Sequence, residues 1–191
     1  MDLLIDLIRN TAKSTAEAFI EVAKAENIKK WTFILRANEI KKEDWLTKQN
    51  ILNSKESGPL LNELKAFRAK PVLYLLEIEN EIKHEVLVKA IRDYDRSRAF
   101  PAISEHRINN EGHKVLYVGK VKRDFFGRII QHMGYFSTER TQGLQLAHWA
   151  CAIGLDVRVT YFVFNEKLAD FMTSLEYQVA QNLQPLLGKH K

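Results

Sequence analysis

Five polar side chains of types that take part in catalysis stand on otherwise apolar parts of this 191-residue chain; they are Tyr74, Tyr117, Arg128, His132 and Glu176. The two tyrosines lie in short apolar runs of similar composition. The arginine and the histidine are four residues apart on one predicted helix, so they share a face. The glutamate adjoins the apolar stripe of the last predicted helix.

This set suits hydrolysis of a phosphodiester bond, which needs a cation at the phosphate, a base for the attacking water and compensation of charge on the transferring oxygens. Glu176 offers a hard oxygen ligand for Mg²⁺, and Arg128 offers a planar, always protonated donor to phosphate oxygens. A tyrosine, whose pKa is about 10, acts as a base only beside a cation such as Lys120, Arg128 or a metal ion. His132 could share a proton near its reference pKa of about 6.5.

Each side chain also has an ordinary structural explanation. A tyrosine in a strand is usually a packed aromatic with a hydrogen-bonded hydroxyl. Arg128 and His132 fit a solvated helix face, and Glu176, one residue off the apolar stripe, fits the surface. Taken together, the five favour the functional interpretation because every polar exception falls where hydrolysis needs one.

Common catalytic signatures are absent, since the sequence has no GxxxxGK[ST], GxGxxG, HExxH or GxSxG pattern. Cys151 lies in the apolar stretch 149–153, which predicts a small core residue. The remaining histidines have no such company and are interpreted as incidental; they are His84, His106, His113, His148 and His190.

Composition limits the class of protein. The chain of 22.2 kDa is 46% hydrophobic and 28% charged, which predicts one globular domain or one domain with a helical appendage. One cysteine excludes an intrachain disulfide framework and a four-cysteine zinc site. The net charge of +5 is compatible with a nucleic-acid partner and does not require one. With no long apolar run and acids near the N-terminus, we expect a cytoplasmic (intracellular) protein with no membrane partner.

Periodicity predicts the elements that must position these residues. Residues 2–25 and 60–69 are typical of helices, and Trp31–Leu35 fits either a strand or a buried turn. Beyond Pro71 the pattern predicts strands at 72–78, 115–121 and 156–164. It also predicts helices that start at Asp124, span 139–153, and run from Asn165 to Pro185. We therefore divide the chain into an N-terminal region, 1–70, and a second domain, 71–191, with an insertion at about 79–112.

The insertion carries a slight excess of bases over acids and two interleaved aromatic residues, Tyr94 and Phe100. This pattern is found in loops that contact DNA, and it fits a solvated helix and loop equally well. The candidate nucleic-acid-binding residues are Lys89, Arg92, Arg96, Arg98 and Arg107.

The sequence from Pro71 to Gly188 resembles the GIY-YIG nuclease family. The family's first triplet corresponds to Val72-Leu73-Tyr74, and its second to Tyr117-Val118-Gly119, followed by Lys120. Arg128 and His132 match the family's helix, Glu176 matches its metal-binding acid, and Gln184–Gly188 matches its tail. The tyrosines are 117 − 74 = 43 positions apart, and this long connection is similar to insertions in restriction endonucleases of this kind.

The resemblance implies an α+β fold with a small three-stranded antiparallel sheet flanked by helices, preceded by a mainly helical N-terminal region. It implies a restriction or defence-type DNA endonuclease that needs Mg²⁺ or Mn²⁺ and acts on double-stranded DNA. In that interpretation Tyr74 is the general base, Tyr117 positions water or phosphate, and Gly119 and Lys120 support the phosphate. Double-strand cleavage by a one-site domain needs two copies, which predicts a homodimer; the N-terminal helix could provide the contact.

Two departures from the family pattern keep alternatives open. Val72 stands where the family has glycine, and Gly188 stands where it has asparagine. Lost motif positions favour a second hypothesis, a catalytically inactive nucleic-acid-binding module derived from a nuclease. A third hypothesis is a protein-interaction domain that binds no nucleic acid.

Overall fold

A computed structural model describes residues 3–24, 28–40, 55, 58–97, 111–135 and 143–188. Its centre is a four-stranded antiparallel sheet with strand order β1-β4-β2-β3. The strands are β1 (Lys29–Arg36), β2 (Val72–Ile78), β3 (Val115–Val121) and β4 (Asp156–Val163). The last three are runs of β-branched, aromatic and other apolar residues, which pack well on a pleated surface.

Six helices accompany the sheet within the described residues. They are α1 (Leu3–Ala23), α2 (Gly58–Leu64), α3 (His84–Ser97), α4 (Phe125–Met133), α5 (Leu146–Trp149) and α6 (Met172–Leu183). Short 3-10 turns occur at Ala37–Glu39, Lys65–Phe67, Cys151–Ile153 and Glu166–Leu168. Among the helices described, none has the length and apolar character to cross a membrane.

The sheet has four strands rather than the predicted three. The additional strand is β1, at the segment where a strand and a buried turn were equally acceptable. It pairs with β4 from Lys29 opposite Val163 to Arg36 opposite Asp156. The N-terminal region therefore contributes an edge strand as well as helices, and the predicted boundary at residue 70 separates strands of one sheet.

Three local predictions differ from the structure. In place of one helix over 139–153, the described part of that segment contains α5 and a 3-10 turn, and its first four residues lie outside the described ranges. Cys151, on that turn, is exposed rather than in the core. Asn165 caps the turn Glu166–Leu168 by accepting a hydrogen bond from the Lys167 amide (3.1 Å), and the last helix starts only at Met172.

Both faces of the sheet are covered, and successive residues of a strand point to opposite faces. Tyr74 and Leu76 face one cluster, which includes Phe125 and Ile129 of α4. Leu73 faces the other, with Met172 and Ala180 of α6. The end of α1 joins this second layer through contact between the Phe19 and Phe171 rings, whose centroids are 5.5 Å apart.

Candidate active site

The two tyrosines lie side by side on neighbouring strands. Tyr74 pairs with Gly119 and Leu76 pairs with Tyr117, so both phenols are on the same face of the sheet. Their ring centroids are 6.1 Å apart. Gly119 makes this possible, because a Cβ at that position would overlap the Tyr74 hydroxyl and the Tyr117 ring.

Arg128 joins the two phenols. Its Nε donates to Tyr74 Oη (3.1 Å) and its Nη2 to Tyr117 Oη (3.3 Å). Its Nη1 donates to Oε1 of Gln131 on the next turn of α4 (3.1 Å). The guanidinium is therefore a partly buried bridge between two strands, and the solvated helix face considered from the sequence is wrong for this residue.

The local sequence explains why α4 presents Arg128 and His132 to the sheet. Asp124 caps the helix by accepting a hydrogen bond from the Gly127 amide (3.3 Å). Phe125 and Ile129 then bury one face against the strands. Residue 132 follows Arg128 by one turn and lies on the same side.

His132 is completely buried behind the phenols. Its Nε2 lies 2.9 Å from Tyr74 Oη, and its Nδ1 accepts a hydrogen bond from the Leu144 amide (3.2 Å). Burial, reinforced by the charge of Arg128, holds the pKa of this imidazole well below its usual value. His132 is therefore neutral near pH 7.

Burial also controls the phenols. It raises the pKa of Tyr74 well above its ordinary value, and the neighbouring Tyr117 adds to the rise, while Arg128 opposes it. Burial likewise raises the pKa of Tyr117, against the charge and hydrogen bond of Arg128 and a hydrogen bond with Tyr74. Both phenols are consequently protonated at neutral pH, although a cation already bridges them.

Glu176 lies within electrostatic range of this cluster, because its charge raises the pKa of both phenols. It is partly buried, one helical turn from Met172 on one side and Ala180 on the other, and both of these are fully buried. The stripe that packs α6 on the sheet thus includes position 176, rather than ending one residue from it. Helix α6 covers the opposite face to α4, and its main contact is with the edge strand β3.

Lys120 is not brought to the phenols. It pairs with Leu73, so it points to the opposite face of β3 from Gly119 and Tyr117. Arg128 is the cation that lowers the pKa of both phenols, and the role considered for Lys120 in that shift is not supported.

The two departures from the family pattern are well-packed positions. Val72 is fully buried, between Val121 and Val163 on the adjacent strands. The tail before Gly188 pairs with β3, because the Leu186 and Leu187 amides donate to the carbonyls of Val115 and Leu116 (3.0 and 2.9 Å). Backbone pairing fixes this tail without the asparagine side chain.

The inserted helix α3 carries its charges on the surface. Lys89 forms an exposed ion pair with Asp93. Lys89 and Arg92 contribute to the wall of an open cavity of about 830 Å³ that also includes Glu85 and Glu111, so charges of both signs surround it. Arg98, Arg107 and the side chain of Arg96 lie outside the described residues.

The donor set near the phenols fits a hard divalent cation held jointly with substrate. In the described ranges, no group of three His, Cys, Asp or Glu side chains could hold a metal ion by itself. Mg²⁺ usually takes only one or two carboxylates and fills its other positions with water and phosphate oxygens. Glu176 is placed to supply one such carboxylate.

Sequence reasoning missed three groups that support the cluster: Gln131, the Leu144 amide and the Trp149 indole, which donates to the Leu144 carbonyl (2.6 Å). Gln131 could have been found, because it follows Arg128 by three residues on the same helix face. The others act through a loop backbone, which leaves no side-chain pattern. Comparisons with known proteins found no matching family model, no matching curated protein and no matching solved structure.

Proposed function

We propose that this protein is a metal-dependent DNA endonuclease that hydrolyses phosphodiester bonds with a GIY-YIG-type site. The observation that carries the proposal is the Arg128 guanidinium hydrogen-bonded to phenols from two neighbouring strands, with the Glu176 carboxylate in electrostatic range. A buried cation costs free energy unless it is paired and hydrogen-bonded. Such a cluster has a purpose in catalysis because its donors are already oriented before charge develops.

Arg128 is proposed to stabilise negative charge on the phosphate oxygens. Two of its donors go to the phenols, and one goes to the side-chain oxygen of Gln131. A guanidinium is always protonated, and its planar fork of donors matches the oxygens of a phosphate. Gln131 holds the third donor until substrate arrives.

The phenols differ in access, which bears on their roles. Tyr74 has no exposed surface, whereas part of Tyr117 is exposed. A general base must come within hydrogen-bonding distance of the water it activates. We therefore assign Tyr117 as the phenol that meets water or phosphate and Tyr74 as the group behind it, the reverse of the expectation from the family.

Glu176 would hold Mg²⁺ or Mn²⁺ together with phosphate oxygens, and the bound ion would supply Lewis-acid neutralisation of the phosphate. The carboxylate also acts without an ion, because its negative charge adds to the effect of burial in raising the pKa of both phenols. Glu176 therefore opposes ionisation of the phenols until a cation neutralises it.

The test is cleavage of a mixed double-stranded DNA library with and without Mg²⁺ or Mn²⁺. We expect metal-dependent cutting by the wild type and none above background by Glu176→Ala. Glu166→Ala is the matched control, because it removes only an exposed ion pair with Lys70 and should cut normally. Absence of cutting by the wild type with either metal, or normal cutting by Glu176→Ala, would contradict the proposal. A restriction or defence setting predicts cutting at one defined sequence.

A second candidate function is a nuclease-derived module that binds nucleic acid without cutting it. The raised pKa of both phenols favours it, because binding needs no ionised phenol. This candidate predicts DNA or RNA binding that weakens with salt and is unchanged by metal ions or by Tyr74→Phe. Metal-dependent cleavage would exclude it.

We also propose that α1 mediates a homodimer, which a one-site nuclease needs to cut both strands. The stripe that packs on the body through Ala18 and Val22 continues to Leu4, Leu7 and Ile8, which are 62%, 61% and 60% exposed. With roughly 120 Å² of apolar surface from each exposed side chain, Ile5 included, two copies would bury on the order of 1,000 Å², enough for a specific interface. A second copy is the occupant proposed, because it brings an identical uncovered stripe.

The oligomeric state tests this proposal. We expect the wild type to sediment as a dimer at micromolar concentration and Ile8→Asp as a monomer. Asn10→Asp adds the same charge away from the stripe and should leave the dimer intact. A monomeric wild type, or a dimer that survives Ile8→Asp, would refute the proposed interface.

A further inference from the structure

The backbone of Leu144 is hydrogen-bonded on both sides of its Cα beside the cluster. Its N–H donates to His132 Nδ1 (3.2 Å), and its carbonyl accepts from the Trp149 indole N–H (2.6 Å). All three residues are buried. The N–H and the carbonyl belong to the two successive peptide groups that flank the Leu144 Cα, so the backbone of this one residue lies between the indole and the imidazole.

The loop that contains Leu144 has little conformational freedom. Gly143 lies directly against α4, because a Cβ there would overlap the Gln131 carbonyl. Gln145 is fully buried in the left-handed region (φ 55°), and its side-chain amide has no hydrogen-bond partner among the residues that the structure describes. A strained backbone and an unsatisfied amide persist only where the surroundings fix them, and both are frequent beside functional groups.

The Leu144 N–H determines the tautomer of His132. A neutral imidazole has one nitrogen that donates and one that accepts. Because Nδ1 receives the amide hydrogen, Nδ1 is the acceptor and the ring hydrogen is on Nε2. The contact between Nε2 and Tyr74 Oη (2.9 Å) is then a hydrogen bond donated by the imidazole to the phenol.

This direction determines where the Tyr74 hydroxyl points. Its oxygen accepts from His132 Nε2 and from Arg128 Nε, so its own hydrogen is available to Tyr117. A hydrogen bond between the phenols is present and acts on Tyr117. In the other tautomer Nε2 would accept the Tyr74 hydrogen, and Tyr117 would lose the donor Tyr74 and keep Arg128 Nη2.

We propose that Trp149, by fixing the backbone of Leu144, holds His132 in the Nε2–H tautomer and thereby turns the Tyr74 hydroxyl toward Tyr117. Trp149 is in this account a positioning residue. Its catalytic consequence rests on the proposed nuclease function, but the tautomer and the hydroxyl direction are properties of the folded protein alone.

The test is ¹⁵N NMR of the histidine-labelled, full-length protein without DNA or metal. At pH 7 we expect His132 to show a protonated Nε2, an unprotonated Nδ1 and a coupling across the hydrogen bond from the Leu144 amide to Nδ1. Trp149→Phe removes the indole N–H and should raise the Nδ1–H population about fivefold, the effect of one neutral hydrogen bond. Trp31→Phe, in β1, is the matched control and should leave the His132 signals unchanged.

A second readout concerns catalysis. If the protein cuts DNA, Trp149→Phe should lower kcat about fivefold and leave KM unchanged, because the phenols are misdirected while the DNA-binding surface is intact. His132 protonated at Nδ1 in the wild type, or His132 signals in Trp149→Phe identical to wild type, would overturn the proposal. If Trp149→Phe does not fold, benzothienylalanine at 149 replaces the indole N–H by sulfur with little change of shape, and the same outcomes decide. A protein with the expected tautomer that cuts no DNA would contradict only the proposed function.

Discussion

The cluster around Arg128 and the surface of α3 are both rich in polar groups, but the polar groups of the two regions have different kinds of hydrogen-bond and ion-pair partners. Arg128 is partly buried. It donates hydrogen bonds to Tyr74 on β2, to Tyr117 on β3 and to Gln131 on the next turn of its own helix. Lys89 on α3 pairs with Asp93 of the same helix, and both are largely exposed to solvent. The first arrangement needs the whole fold, whereas the second forms locally.

This difference indicates where function is concentrated. Exposed ion pairs contribute about 0–1 kcal/mol to stability. Burying a charge beside neutral acceptors costs free energy that packing alone would not require. Substitutions in the cluster should therefore have large effects on activity, and substitutions on α3 should have small ones.

The largest effect is expected for Arg128→Lys. An ammonium group lacks the planar fork that reaches both phenols, so we expect single-turnover DNA cleavage to slow by about 10³-fold. Arg68→Lys, which changes an exposed arginine paired with Asp124, should cleave at the wild-type rate. If Arg128→Lys slows cleavage by less than about tenfold, Arg128 contributes no more to activity than an exposed surface charge does.

Gly119→Ala tests the packing on which the cluster depends. The new methyl group would overlap the Tyr74 hydroxyl, so we expect the free energy of unfolding to fall by about 1–3 kcal/mol in urea titrations. Tyr74→Phe removes that hydroxyl, and the double variant should recover part of the loss. An unchanged urea midpoint for Gly119→Ala would show that the phenols are not held over this glycine.

The buried histidine predicts a dependence of stability on pH. The pKa of His132 is depressed in the folded protein, so below about pH 6.5 the unfolded chain binds more protons at this residue. The free energy of unfolding should therefore fall as the pH drops from 6.5 toward 5, by up to about 1.4 kcal/mol per pH unit. His132→Asn should reduce this slope relative to the wild-type protein. Equal slopes for wild type and His132→Asn would contradict a neutral buried imidazole.

The smallest effect is expected on α3. Lys89→Ala removes one exposed charge, so DNA affinity should weaken by no more than about threefold. The slope of log affinity against log salt concentration should change by no more than about one released ion. Fluorescence anisotropy over a range of salt concentrations measures both. A loss above about tenfold would make α3 a main DNA contact.

The sequence predicted the strands β2, β3 and β4 closely because each is a short apolar run bounded by polar or turn residues. It left β1 undecided because the exposed Ile34 joins Phe33 and Leu35 in one short apolar run, which periodicity alone does not distinguish from another buried segment. The predicted start of the last helix at Asn165 was wrong, because the side chain of Asn165 caps a 3-10 turn instead.

Within the site, too, contacts set by local spacing could be predicted and contacts set by tertiary packing could not. Arg128 and His132 could be paired from helical spacing, and residues 172, 176 and 180 share a face for the same reason. The opposite orientation of Lys120 followed from strand alternation once the register was known. The contribution of Leu144 could not be predicted, because a backbone amide has no residue-specific signature and its position depends on tertiary packing.

The measurement that tests the central claim most directly is a double-mutant cycle on the phenols, read as single-turnover cleavage of DNA in Mn²⁺. If Tyr74 and Tyr117 act as one unit with Arg128, each Phe substitution should slow cleavage by about 10²–10³-fold, and the double substitution by little more than the worse single one. Independent, multiplicative losses, or rates within about twofold of wild type for both single variants, would contradict a shared catalytic centre.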